Sequence, residues 1–338
     1  EGGAVRRRLV AAAALCLAAP PAAAWVRSAT TSGLCLWWST RQVHYAVNDF
    51  SAHPAASVCS NSPSPPGGAA AAMEAVRTSF TTWTGAGGCT NLETVEDGTT
   101  PSTATGLDCQ NLVVFRRGLC GDLVPPGDPC RLWDVNGSST LNCADRYNCW
   151  DADDPSHASD RVIALTTVSY VASTGEIVDA DMELNAWGGS GPSPPGYYFT
   201  CVDGTVCDPR FPPQTGCVST DVQDVVTHEA GHVLGLAHSP DPTATMFASA
   251  PLSEISKRTL APDDVSGICS IYPAGLPTNT GPQPGVCNGS GQMALRASST
   301  CEQPSTGCGC GTTGAEAWLG LALLVLLWRR PSPSRASV

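Results

Sequence analysis

One eleven-residue segment limits what this chain can fold into more than any other: His-Glu-Ala-Gly-His-Val-Leu-Gly-Leu-Ala-His, residues 228–238. His228 and His232 are four apart, so on a helix both imidazoles leave from one face. Glu229 is offset from His228 by about 100° around that helix, close to the same face without competing for it. Gly235 tolerates a left-handed backbone and predicts where the helix stops and the chain turns. Such a turn brings His238 back to the other two. Three neutral imidazoles are a donor set for zinc that leaves a fourth position open, as a reactive metal centre requires. Half of the chain's six histidines lie in this segment, which leaves accidental spacing a poor explanation.

The extended pattern HExxHxxGxxH resembles the metzincin signature. The resemblance implies a zinc endopeptidase in which His228, His232 and His238 hold the metal and Glu229 is the general base toward a zinc-activated water. It also implies a methionine in a tight turn beneath the ligands, and Met246 in Thr243-Ala-Thr-Met-Phe247 stands where that residue is expected. Within the metzincins, Ser239, the run Asp221-Val-Gln-Asp-Val-Val-Thr227, the segment Gly175–Asn185 and Pro262–Tyr272 are similar to the matrixins. By the same resemblance, Phe247 and residues 248–261 would wall the pocket for the side chain after the scissile bond. The apolar Phe247, Ala248, Ala250 and Leu252 point to an apolar substrate residue there. Two family features are missing: there is no PRCGxPD latency segment, and the remaining histidines (His44, His53 and His157) are too scattered for a second, structural zinc.

Periodicity gives the fold class. Val43–Val47 alternates and predicts a strand, as do the apolar runs Leu112–Phe115 and Val162–Leu165. Ile177–Leu184 alternates with Asp179, Asp181 and Glu183 on one face. Residues 69–83 carry Met73, Val76, Phe80 and Trp83 at helical spacing between glycines. A second helix is predicted from Asp221 through His232, capped by Thr220 or Ser219, and a third over Pro262–Tyr272. The order is that of an α+β, metzincin-type domain: a mixed sheet, an active-site helix and a C-terminal helix, over residues 25–275.

The ends read as addresses. Arg6-Arg7-Arg8, an apolar run and Ala22-Ala23-Ala24 form a secretory signal peptide over 1–24. Residues 276–315 are rich in Pro, Gly, Ser and Thr and read as a linker. Residues 316–338 hold a short apolar run from Ala317 to Trp328 followed by Arg329-Arg330. With Cys308-Gly-Cys310 ahead of it, this order resembles the MYXO-CTERM sorting tail, which implies delivery to the cell surface or release; a short membrane anchor with Arg329 and Arg330 on the cytoplasmic side is the other reading, and the tail is the one expected membrane contact. Twelve of the seventeen cysteines lie in 25–275, an even number that suits disulfides and an oxidising compartment. The chain's net charge is −12, which argues against a nucleic-acid partner. A protein or peptide substrate is expected; the oligomeric state is not legible. Around His157, the carboxylates of Asp151, Asp153, Asp154 and Asp160 offer oxygen ligands of the kind calcium takes, with a solvated acidic loop as the plainer reading. The competing function is a non-catalytic surface binding or adhesion protein on a protease-like scaffold.

Overall fold

The apolar stretches read from the sequence become the centre of one mixed sheet. The computed structural model describes residues 25–49, 58–59, 68–131, 143–151, 162–186, 196–208, 216–278 and 294–298. In chain order its main elements are β1 (Gln42–Asn48), α1 (Ala69–Thr84), β2 (Glu93–Thr100), β3 (Leu112–Phe115), β4 (Ala164–Val171), β5 (Ile177–Leu184), α2 (Val222–Val233), α3 (Pro262–Ile271) and β6 (Ala294–Ser298). The sheet order is β6-β4-β5-β3-β1-β2. All neighbouring pairs are parallel except β4 with β5. Every residue of β3 is buried, as expected of a strand covered on both faces.

Two strands escaped the periodicity analysis, and both are edges. β2 reads Glu-Thr-Val-Glu-Asp-Gly-Thr-Thr and has no buried residue. Its backbone pairs with β1 across a register shift between Tyr45 and Val47. β6 lies within the segment read as a linker: Ala294 to Ser298 pair with Thr167 to Val171. An edge strand is held by backbone hydrogen bonds and needs no alternating apolar pattern to announce it.

The helices pack on the sheet and on each other. Ser79 Oγ and Trp83 Nε1 of α1 donate to the carbonyls of Gln223 (3.1 Å) and Thr227 (2.8 Å) of α2. The C-terminal carbonyls of α2, which lack intrahelical donors, are taken up from elsewhere. Trp38 Nε1 reaches Val233 O at 2.8 Å and Tyr272 Oη reaches Leu234 O at 3.0 Å. At the other end the cap is Asp221, not Thr220 or Ser219. Its carboxylate accepts from Asp224 N at 2.8 Å and is gripped by Arg258. Asp fits here because its short side chain accepts from the third residue of the helix.

The strand with the acidic face is buried on both faces. Asp179, Asp181 and Glu183 are all within 3% exposure. Asp181 accepts from Leu112 N at 3.0 Å, and Glu183 pairs with the fully buried Arg116 at 2.7 Å. Burial and the neighbouring Asp179 push the Asp181 carboxyl well above the usual carboxylate range.

All twelve cysteines of 25–275 are disulfide-bonded. Bridges Cys120–Cys149, Cys130–Cys143 and Cys207–Cys217 span 29, 13 and 10 residues of sequence, while Cys59–Cys201 and Cys89–Cys269 join distant parts of the chain. Cys35 and Cys109 are bonded as well. Among the described residues no helix is long and apolar enough to cross a membrane. The proposed signal peptide and the tail 316–338 lie outside the described residues, as do His53, His157 and the acidic loop around it, Asp151 excepted.

Candidate metal centre

The site is built from α2 outward. His228 and His232 are almost fully buried on one face of the helix. Gly235 follows with φ +92° and ends the helix, its N–H donating to His232 O at 2.9 Å. A Cβ there would lie 2.8 Å from Leu36 O, so the position demands glycine for both conformation and space. The chain then turns and returns His238. The ring centroids of the three histidines are 4.9, 5.3 and 4.9 Å apart. One ligand nitrogen from each lies within 4.8 Å of the others, and this is the one metal-type cluster among the described residues.

The protonation pattern follows from the hydrogen bonds. His228 Nδ1 meets Thr245 O at 2.6 Å and His232 Nδ1 meets Leu236 O at 2.8 Å. A carbonyl only accepts, so both Nδ1 atoms carry the hydrogen and Nε2 keeps its lone pair. The Nε2 atoms of all three histidines are buried without a hydrogen-bond partner. Burial holds His232 down to about 4 and His238 to about 2, and His228 well below the usual imidazole range. Three neutral imidazoles with converging, unsatisfied lone pairs fit a divalent metal, since such buried groups are otherwise costly.

These shifts give a test in the metal-free chain. His238 titrates near 6.5 when unfolded and at about 2 when folded. The unfolded state therefore binds the proton first, and stability fully present above pH 6.5 is lost as pH falls toward 2. Between pH 6 and 4, zinc-free wild type should lose about 1.4 kcal/mol per pH unit more than His238→Ala. Urea midpoints across that range measure it; equal slopes would contradict it.

Glu229 is fully buried beside the histidines. Its Oε2 accepts from Thr166 Oγ1 at 2.6 Å, whereas Oε1 has no partner. Burial pushes its carboxyl up to about 8, opposed by the Thr166 hydrogen bond and by Lys257. A cation held by the histidines would draw it back down.

Met246 is 2% exposed and lies beneath α2, its Sδ so close to Gly231 that a Cβ there would sit 2.2 Å away. Asp264 of α3 holds this turn in place. It accepts from Thr245 N at 2.7 Å and Met246 N at 3.0 Å. Asp263 accepts from Ser239 Oγ at 2.6 Å and from Trp25 N at 2.8 Å, tying the residue after His238 to the start of the described chain. Phe247 is half-buried, with its carbonyl accepting from Lys257 Nζ. Lys257, the chain's one lysine, is itself 3% exposed and its N–H donates to Asp224 on α2 at 2.8 Å. Of the residues brought forward by the sequence (His228, Glu229, His232, His238, Met246 and Phe247), the structure draws the three histidines together, with Glu229 on the same helix and Met246 packed against it. Nothing in the sequence points to Thr166 or Lys257. In the sequence Asp263 and Asp264 are simply acids at the start of a helix.

Comparison with known proteins agrees with this geometry. The Matrixin family model matches residues 135–273. Matrix metalloproteinase-27 of Tupaia belangeri is 54% identical over 54 residues, 16% of this chain and 10% of that protein. Neutrophil collagenase of Homo sapiens is 48% identical over 62 residues, 17% of this chain and 13% of that protein. Metalloendoproteinase 1 of Glycine max is 46% identical over 52 residues, 15% of this chain and 17% of that protein. The chain thus spans less than a fifth of the length of each of these relatives. Residues 135–273, which carry the histidine cluster, are similar to the Matrixin family, and the described residues from β1 onward form an α+β fold.

Proposed function

We propose that the chain is an exported zinc endopeptidase, with His228, His232 and His238 as the metal ligands and Glu229 as the general base. The observation that carries this reading is the set of three buried, partnerless Nε2 atoms beside a buried carboxylate with one unengaged oxygen. Zinc, when bound there, supplies Lewis acidity: it lowers the pKa of water and polarises a carbonyl oxygen. Glu229 Oε1 takes the proton of the attacking water and passes it to the leaving amine. The dry surroundings strengthen each of these electrostatic effects. His228 and His232 are held in their rotamers and tautomers by the Thr245 and Leu236 carbonyls, the outer support that metal-bound imidazoles need. Met246 packs under the helix as an apolar floor.

Phe247 and the segment after it form the wall facing the substrate residue beyond the scissile bond, and their apolar character favours an apolar side chain there. Residues 1–24 direct export, and residues 316–338 act as a MYXO-CTERM-type sorting tail that brings the enzyme to the cell surface or releases it. The disulfides of the domain suit that destination.

The test is to incubate the oxidised full chain with an unfolded protein and map new α-amino termini by mass spectrometry. Internal cuts before apolar residues are expected. No cuts by a zinc-loaded chain would favour the binding or adhesion reading. Cuts confined to positions before charged residues would sink the pocket assignment.

A further inference from the structure

Thr166 lies on β4, 2% exposed, opposite Met182 of β5. Its hydroxyl donates to Glu229 Oε2 at 2.6 Å across 63 residues of sequence. Nothing in the histidine motif calls for it. The two oxygens of Glu229 are thereby made different: Oε2 is anchored, and Oε1 is buried and unengaged.

We propose that Thr166 is a positioning residue that fixes the Glu229 carboxylate so that Oε1 alone faces the reacting water. The assignment rests on the endopeptidase reading above. A glutamate has three side-chain torsions, the last of them broad and roughly two-fold. Burial restricts the first two but does not orient the carboxylate plane. A single hydroxyl donor does. A threonine has one hydrogen to give, and giving it to Oε2 leaves Oε1 as the carboxylate oxygen with no hydrogen-bond partner. The bond survives the reaction cycle, because Oε2 accepts whether Glu229 is ionised or carries a proton on Oε1. The β-branched side chain suits a strand and is stiff at χ1, so the backbone of β4 aims the hydroxyl. The sheet is thus the frame against which the base on α2 is set.

The test compares wild type, Thr166→Val, Thr166→Ser and Glu229→Ala as oxidised full chains on one unfolded protein substrate. Valine keeps the shape and removes the donor; serine keeps the donor. Misplacing a reacting group by about 1 Å can cost about 100-fold. Thr166→Val should therefore lose about 10- to 100-fold in kcat, with KM and zinc content unchanged, and Thr166→Ser should recover to within about 3-fold of wild type. Crystal structures of zinc-free wild type and Thr166→Val should show the Glu229 carboxylate rotated in the variant. If Thr166→Val folds poorly, Thr166→Ala is read in the same way. A Val variant within about twofold of wild type in kcat, a Ser variant as impaired as Val, or a change in KM in place of kcat would overturn the assignment. Inactive wild type would instead sink the endopeptidase reading, and the two crystal structures would still decide whether Thr166 orients the carboxylate.

Discussion

Gly231→Ala is expected to destabilise the protein even though alanine is the better helix former. The substitution gains about 1 kcal/mol of helix propensity. Against this, the new Cβ would lie 2.2 Å from Met246 Sδ and 2.8 Å from Trp83 Cζ2. Met246 could swing aside, but Trp83 is fully buried with its Nε1 bonded to Thr227 O. Overpacking of a rigid core costs about 1–3 kcal/mol and occasionally more, so the steric cost outweighs the propensity gain. The melting temperature should fall by several degrees, at about 2–4 °C per kcal/mol for a domain of this size. Because α2 must shift against the turn that carries Met246, zinc affinity should fall with it. Pairing the substitution with Met246→Ala removes the nearest clash, and the double variant should be more stable than the sum of the singles. A melting temperature equal to or above that of wild type for Gly231→Ala would refute the packing of Met246 under this helix.

Glu229→Ala should have a large effect on activity. General acid–base catalysis contributes about 10²–10⁴-fold, so kcat on an unfolded protein should fall by that range. Zinc content should stay at wild-type level, because Glu229 is not among the three ligands. Stability should not fall greatly, since removing a carboxyl that burial already disfavours in its charged form offsets the lost Thr166 hydrogen bond. Loss of zinc in this variant would mean that Glu229 is part of the metal shell; retained activity would remove it from the chemistry.

The reach of sequence reasoning follows from the distances involved. The metal cluster was legible because its geometry is local: a four-residue helical spacing, a glycine that must sit at positive φ, and a third histidine six residues beyond the second. Met246 was legible through family resemblance, not through periodicity. Thr166 and Lys257 were invisible because each reaches the site through tertiary contact, Thr166 across 63 residues and Lys257 across 33 to Asp224. In the sequence both look like ordinary strand and loop residues. In the sequence Asp264 is an acid in the first turn of α3, where it favours the positive end of the helix dipole. Its larger task, holding the Thr245–Met246 turn, depends on where α3 docks. Leu112–Phe115 and Ile177–Leu184 coincide with β3 and β5, whereas the run Val162–Leu165 meets β4 only at Ala164 and Leu165, because the rest of that strand mixes Thr and Ser with its apolar residues; β2 and β6 give no pattern because an edge strand is held by its backbone. The acidic face of β5 was recognised as a pattern, but its burial against Arg116 and Leu112 N could not be read from alternation alone.

The measurement that tests the central claim most directly is a zinc titration of chelator-stripped, oxidised full chain, with cleavage of an unfolded protein as the readout. Cleavage should be absent in the stripped protein, rise linearly with added zinc and level off at one equivalent per chain. In His238→Ala it should stay absent throughout the same range. Cleavage by the stripped protein, or a zinc-dependent activity unchanged in His238→Ala, would contradict a catalytic metal held by the three histidines.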